Sequence, residues 1–275
     1  MRIDAHQHFW QYHPERDAWI TEDMHVIRQD FMPNDLKPIL DEYAIDGCVV
    51  VQADQSEKET NFLLDIADNN SWVKGVVGWI NLLDEGLKER LDYYRGFSLL
   101  KGVRHILQAE PDGFMTNPIF IKGVEEVGKL NLTYDILSRE DQLSEVLELI
   151  KKLPEMKLVI DHISKPDIKN QSFDHWAGYM KQISTYDHVH VKLSGMVTET
   201  NWSSWTATEF QPYVDVCLEN FKPERLMFGS DWPVSLLAGT YSQVINSLKE
   251  CIEELSPAEQ GQIMGKTAVK FYELI

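Results

Sequence analysis

Gly47-Cys48-Val49-Val50-Val51-Gln52 decides the fold class. A β-branched run with no polar alternation belongs to a strand covered on both faces, as in parallel sheets flanked by helical crossovers. Working outward, seven more short apolar runs fit the same role: Ile3–His6, Lys74–Ile80, Leu99–Ile106, Leu130–Leu137, Lys157–His162, Val189–Gly195 and Arg225–Pro233. Helical signals separate them. Pro33-Asn34-Asp35 opens a helix with Leu36, Ile39, Leu40 and Tyr43 on one face. Ser56-Glu57-Lys58-Glu59 has capping-box form, and Phe62, Leu63, Ile66 and Ala67 follow it. Leu87, Leu91 and Tyr94 mark the next helix, then Ile119, Val124 and Val127. Leu143, Val146, Leu147 and Ile150 form a 3.6-residue stripe. Trp176, Met180 and Ile183 mark one helix; Tyr213, Val216 and Cys217 mark another. The chain closes with helices over Val244–Leu255 and Ile263–Leu274, the last preceded by Ser256-Pro257-Ala258-Glu259.

Eight strands alternating with helices, without linker or low-complexity sequence, predict parallel pairing. In 275 residues this fits one domain, 1–275, folded as a (β/α)8 TIM barrel. A doubly wound open sheet lacks support, because no Gly-x-Gly-x-x-Gly or Walker loop follows a strand. Two irregular stretches, Gln11–Phe31 and Met196–Thr208, are long enough to form rims or lids.

The net charge of -18 and pI near 4.8 argue against nucleic acid and anionic membranes as partners. No apolar stretch approaches a membrane span, and no cleavable signal pattern opens the chain. Cys48, Cys217 and Cys251 are scattered, as expected of reduced thiols in a cytoplasmic protein. A homodimer is left open.

Barrel active sites lie at the carboxyl ends of the strands. The polar residues there are His6 and His8, Gln52, Arg104 and His105, Tyr134 and Asp135, His162, Lys192 and Ser194, and Asp231. His6 and His8, two apart on a strand, share a face. Barrel closure brings the last strand beside the first, and Asp231 beside the two histidines.

These residues resemble the amidohydrolase superfamily, closest to the amidohydrolase-2 branch and its sugar-lactone hydrolases, which are related to the 2-pyrone-4,6-dicarboxylate lactonases. The resemblance is carried by Asp4-Ala5-His6-Gln7-His8-Phe9-Trp10, Gly102-Val103-Arg104-His105 with Gln108 and Glu110-Pro111, Asp161-His162-Ile163-Ser164-Lys165-Pro166, Lys192-Leu193-Ser194-Gly195, and Met227-Phe228-Gly229-Ser230-Asp231-Trp232-Pro233. Metal-rich members carry a Lys or Glu on strand four and a His on strand five, where this chain has Arg104-His105 and Tyr134-Asp135. A dinuclear centre is therefore not expected. The resemblance implies either no metal or a single Zn2+ on His6, His8 and Asp231, with His162 as a further ligand candidate.

It also implies hydrolysis of a small-molecule sugar lactone, of the L-fucono- or L-rhamnono-lactone kind, to the aldonic acid. Asp231 is then the general base on water. His6, His8 or a bound metal polarises the carbonyl, and His162 joins them or protonates the leaving oxygen. Arg104, His105, Tyr134, Lys192 and Gln52 are expected to hold substrate, with Trp10, Trp202 and Trp232 against an apolar ring face. The alternatives are a metal-dependent decarboxylase of an aromatic or unsaturated acid and a non-catalytic sugar-binding barrel.

Overall fold

The Val49–Val51 run and its seven counterparts form one parallel sheet in the computed structural model, which describes residues 1–275. The strands are β1 Ile3–Gln7, β2 Gly47–Val51, β3 Val73–Gly78, β4 Leu100–His105, β5 Thr133–Ile136, β6 Leu158–Ile160, β7 Val189–Leu193 and β8 Leu226–Phe228. They pair in chain order. A parallel bridge between Gln7 and Trp232 closes the ring, with His8 N–H donating to Trp232 O at 2.7 Å and Asp231 N–H to His6 O at 2.8 Å. This is the expected (β/α)8 barrel.

Between the strands run α1 Pro33–Glu42, α2 Glu57–Asn69, α3 Leu87–Tyr94, α4 Pro118–Lys129, α5 Leu143–Lys152, α6 Asp174–Ile183, α7 Gln211–Phe221 and α8 Tyr241–Cys251. Ser56 Oγ accepts the Glu59 N–H at 3.2 Å, so the predicted cap starts α2. At the C-terminus, α9 Pro257–Gly261 runs through a π turn at Gln262–Lys266 into α10 Thr267–Phe271.

Several expected strands are shorter than the apolar runs that signalled them. Leu130 ends α4, and Asn131 turns left-handed at φ 60°, so β5 begins only at Thr133. β6 stops at Ile160, and the chain then winds into a left-handed turn. Of the three residues that mark α4, Val124 and Val127 are buried while Ile119 is exposed, because α4 begins at Pro118 and turns its first residues to solvent.

Apolar residues occupy two layers. The larger cluster lies between the outer sheet face and the helices. The smaller fills the barrel, where Ile3, Ala5, Val49, Val51, Val77, Val159 and Met227 pack on Ala268, Phe271, Tyr272 and Leu274. The C-terminal helix therefore plugs the amino end of the barrel. Above this plug the interior becomes charged. Each ion there costs several kcal/mol to desolvate, against about 1.5–3 kcal/mol gained per buried aliphatic side chain. The upper half of the barrel is thus organised at the expense of stability, as functional sites are.

Candidate active site

His6 and His8 both turn into the barrel, yet so do Ile3 and Ala5 of the same strand. Strict alternation forbids this. The β1–β2 register slips between Asp4 and Gln7, so one extra residue on β1 switches the face. Gln7 points outward, its Nε2 donating to Cys48 Sγ at 3.2 Å.

A backbone hydrogen bond sets the His8 tautomer. His8 Nδ1 lies 2.7 Å from the Val51 carbonyl oxygen. A carbonyl only accepts, so Nδ1 carries the proton and Nε2 presents a lone pair. His6 Nε2 is 3.3 Å from Arg104 Nη1, which only donates. His6 Nδ1 lies 3.2 Å from Lys192 Nζ and 3.3 Å from Asp161 Oδ1. Burial holds the His6 imidazole well below its usual pKa, against the pull of Asp161.

Asp231 follows β8 in a left-handed conformation, φ 56°. Asp4, buried behind it, accepts hydrogen bonds from the Ser230 N–H at 2.9 Å and the Tyr241 hydroxyl at 3.1 Å, tying β1 to the β8 exit. Asp231 Oδ1 is 3.3 Å from His8 Nε2 and 3.8 Å from Nε2 of both His6 and His162. Burial works against its charge, but His162 and His8 outweigh it and hold the carboxyl below the usual range.

His162 opens the turn after β6. It, Ile163, Ser164 and Lys165 have φ of 53°, 48°, 58° and 46°. Four successive non-glycine residues in this region cost about 1–2 kcal/mol each. The turn is held by Trp176 Nε1 donating to Ile163 O at 2.6 Å and by Ser138 and Ser164 hydroxyls 2.9 Å apart. Gly195, at φ 65°, passes under the ring: a Cβ there would lie 2.6 Å from His162 Nδ1. His162 Nδ1 meets Ser194 Oγ at 2.9 Å, and burial keeps the imidazole well below its usual pKa.

Beneath the histidines lies a sealed charge network. Lys192 Nζ reaches Asp135 Oδ2 at 2.6 Å, Asp161 Oδ1 at 3.0 Å and His6 Nδ1 at 3.2 Å. Arg104 Nη1 reaches Asp161 Oδ2 at 3.1 Å, and its Nη2 bonds the Gln52 carbonyl and side-chain oxygens. The Tyr272 hydroxyl donates to Asp135 at 2.7 Å. Two cations meet two carboxylates, so the network is self-neutralising. Burial opposes the charge on Asp161, but Lys192, His6 and Arg104 prevail and hold it well below the ordinary range. For Asp135 burial prevails over Lys192, and its carboxyl is raised.

A cavity of 290 Å³ opens above, with His8, His162, Asp231 and Arg104 among its lining residues. Other expected substrate contacts lie outside it. Lys192 is sealed below. Tyr134 points outward and packs on Phe120 of α4 with ring centroids 6.1 Å apart. His105 bonds Glu110 at 2.7 Å and stacks on Phe114. Gln52 holds Arg104. Trp10 and Trp232 are buried against Phe31, while Trp202 lines a separate surface groove. Trp19, from the insert read as a rim or lid, lines the cavity, as do Gln55, Gln108 and Lys165. Asp161 was passed over as a network residue. Its signal was its place immediately before His162 at the end of an apolar run.

The donor set fits a divalent metal. His6 Nε2 and His8 Nε2 are 3.2 Å apart, and both face Asp231 Oδ1. His8 Nε2 and Asp231 Oδ1, 3.3 Å apart and both bearing lone pairs, repel one another unless a cation or a shared proton lies between them. Two imidazole nitrogens and a carboxylate oxygen suit Zn2+ with an open position, and His6 and His8 have the carbonyl and carboxylate partners that orient metal-binding histidines. A second ion on His6, Asp161 and His162 would meet Lys192 and Arg104, which already neutralise Asp161.

The chain is similar along its whole length to known proteins. It is 36% identical to an L-fucono-1,5-lactonase of Burkholderia multivorans, covering 100% of this chain and 96% of that one. It is 32% identical to an L-fucono-1,5-lactonase of Burkholderia ambifaria, covering 99% and 96%. A crystal structure of a Burkholderia multivorans amidohydrolase with bound zinc superposes with a TM-score of 0.96 at 36% identity, covering 100% of both chains. The sequence model of the amidohydrolase family matches residues 3–274, so nearly every element described above falls within the match. The chain belongs to the amidohydrolase family.

Proposed function

We propose that the protein hydrolyses a sugar lactone to its aldonic acid. One observation carries the reading: a buried carboxylate, Asp231, meets His6, His8 and His162 within 3.3–3.8 Å at the floor of a cavity fit for a small ring. Similarity to two L-fucono-1,5-lactonases supports it and points to an L-fucono-lactone-like substrate.

Ring opening needs an activated water, a polarised carbonyl and a proton for the departing ring oxygen. Asp231, held ionised, takes the proton of the attacking water. Arg104, kept in place by Asp161 and Gln52, faces the same cavity and stabilises negative charge as the carbonyl becomes tetrahedral. When the C–O bond of the ring breaks, the proton taken by Asp231 passes to the ring oxygen. His162 Nε2, 3.8 Å from Asp231 Oδ1 and neutral through burial, is placed to relay it. A single Zn2+ held by His6, His8 and Asp231 would supply Lewis-acid polarisation of the carbonyl and acidify a bound water. Lys192, Asp135 and Asp161, sealed below the cavity, act as a base plate that orients Arg104 and His6 rather than as a substrate site.

A pH-indicator screen over γ- and δ-aldonolactones tests this. The reading expects acid release from at least one L-configured lactone. No release across the panel would overturn it, and carbon dioxide release from an aromatic acid would favour the decarboxylase alternative. No helix is long and apolar enough to cross a membrane.

A further inference from the structure

Some side chains lining the cavity take no part in the charge network or the metal set. Lys165 ends the four-residue left-handed turn, and strain of this kind persists only where the surroundings enforce it. The anchors at Ile163, Ser164 and Gly195 do so here, and they place Lys165 beside His162 at the cavity wall. Unlike Arg104 and Lys192, it enters no ion pair. Gln55 lines the same cavity, and its Oε1 is committed to the Ile106 N–H at 2.8 Å, which leaves its amide N–H groups to face a ligand. An ammonium and an amide nitrogen donate only, so they require acceptor oxygens. Ile106, Leu137, Val234 and the Trp19 indole supply apolar lining. A ring with hydroxyl oxygens on its edge and C–H groups on its face satisfies both kinds of wall.

We infer that Lys165, with Gln55, forms the subsite that holds the ring hydroxyls of the substrate, and so selects polyhydroxylated lactones over unsubstituted ones. This rests on the lactone reading above and names the residue that gives it specificity. A charge-assisted hydrogen bond of this kind is worth about ten- to a hundredfold in affinity.

The test uses non-hydrolysable rings, so it stands whether or not a lactone is turned over. Calorimetry compares a polyhydroxylated δ-lactam with unsubstituted δ-valerolactam on the parent, Lys165→Met and Lys165→Asn. Asparagine tolerates the left-handed backbone, so its loss of affinity reports the ammonium rather than the turn. The expected result is a roughly ten- to hundredfold loss for the hydroxylated lactam in both variants, at least tenfold greater than any loss for δ-valerolactam. Unchanged affinity for the hydroxylated ring, or equal losses for both rings, overturns the inference. A parent that binds the hydroxylated lactam through Lys165 but opens no lactone would leave the subsite standing and sink the hydrolytic reading.

Discussion

The Val51 carbonyl oxygen accepts a hydrogen bond from the His8 Nδ1–H, with N and O 2.7 Å apart, and that one bond turns the His8 Nε2 lone pair toward Asp231. The metal fit follows from it. Protein purified without added metal and dialysed against Zn2+ should bind about one ion per chain, read by elemental analysis and competition with a chromophoric chelator. His8→Ala removes one of three donors and should weaken binding by a hundredfold or more; loss of a mere orienting partner costs about 10–100-fold. Equal zinc content in parent and variant would contradict the assignment.

The base plate predicts a stability effect. Lys192 is the shared partner of Asp135 and Asp161, both fully buried. Lys192→Met leaves buried carboxylates short of a cation and should cost about 3–5 kcal/mol in urea denaturation. A loss under 1 kcal/mol would mean that the carboxylates are protonated or hydrated instead.

How much of this could be read from the chain differs residue by residue. The strands were legible because Val49–Val51 and Leu158–Ile160 are buried on both faces, which leaves a plain compositional mark. His6, His8, His162 and Asp231 were legible as polar residues at strand ends. Lys192 was misplaced among substrate contacts because two further residues, Leu193 and Ser194, separate it from the rim. The turn at His162–Lys165 left no signal, since left-handed backbone ordinarily announces itself with Gly or Asn and none is present. Choosing Trp19 over Trp10 as cavity lining needed tertiary packing: Trp10 is closed off by Phe31 and the Gln29 carbonyl.

Gly195 links that turn to activity. Gly195→Ala puts a Cβ 2.6 Å from His162 Nδ1 at a backbone φ of 65°. The ring must shift, so turnover should fall about a hundredfold, with about 1–3 kcal/mol of lost stability. Gly178→Ala on α6, where nothing lies within 4 Å, is the control and should leave turnover unchanged. Similar turnover in both variants would show that His162 need not sit where it does.

Glu59 gives a pH signature. It accepts the Ala53 and Asp54 N–H groups at 3.0 and 2.7 Å and fastens the loop that carries Gln55. Burial, partly offset by those two bonds, raises its pKa to about 8. The folded state thus keeps a proton that the unfolded chain sheds above its ordinary value of 4.5. Its contribution to stability is complete below that value and is lost as pH rises toward 8, by an amount on the order of a few kcal/mol. Glu59→Gln should flatten this part of the stability–pH curve in urea titrations. An unchanged slope would place the ionised carboxylate in the native state.

The central claim is that Asp231 activates water against a lactone carbonyl. Its most direct measurement is the hydrolysis rate of the preferred aldonolactone by the parent and by Asp231→Asn, with circular dichroism confirming the fold. The account predicts a fall in kcat of roughly 10²–10⁴-fold with the barrel intact. A folded Asp231→Asn protein that retains a tenth or more of the parent's rate would contradict it.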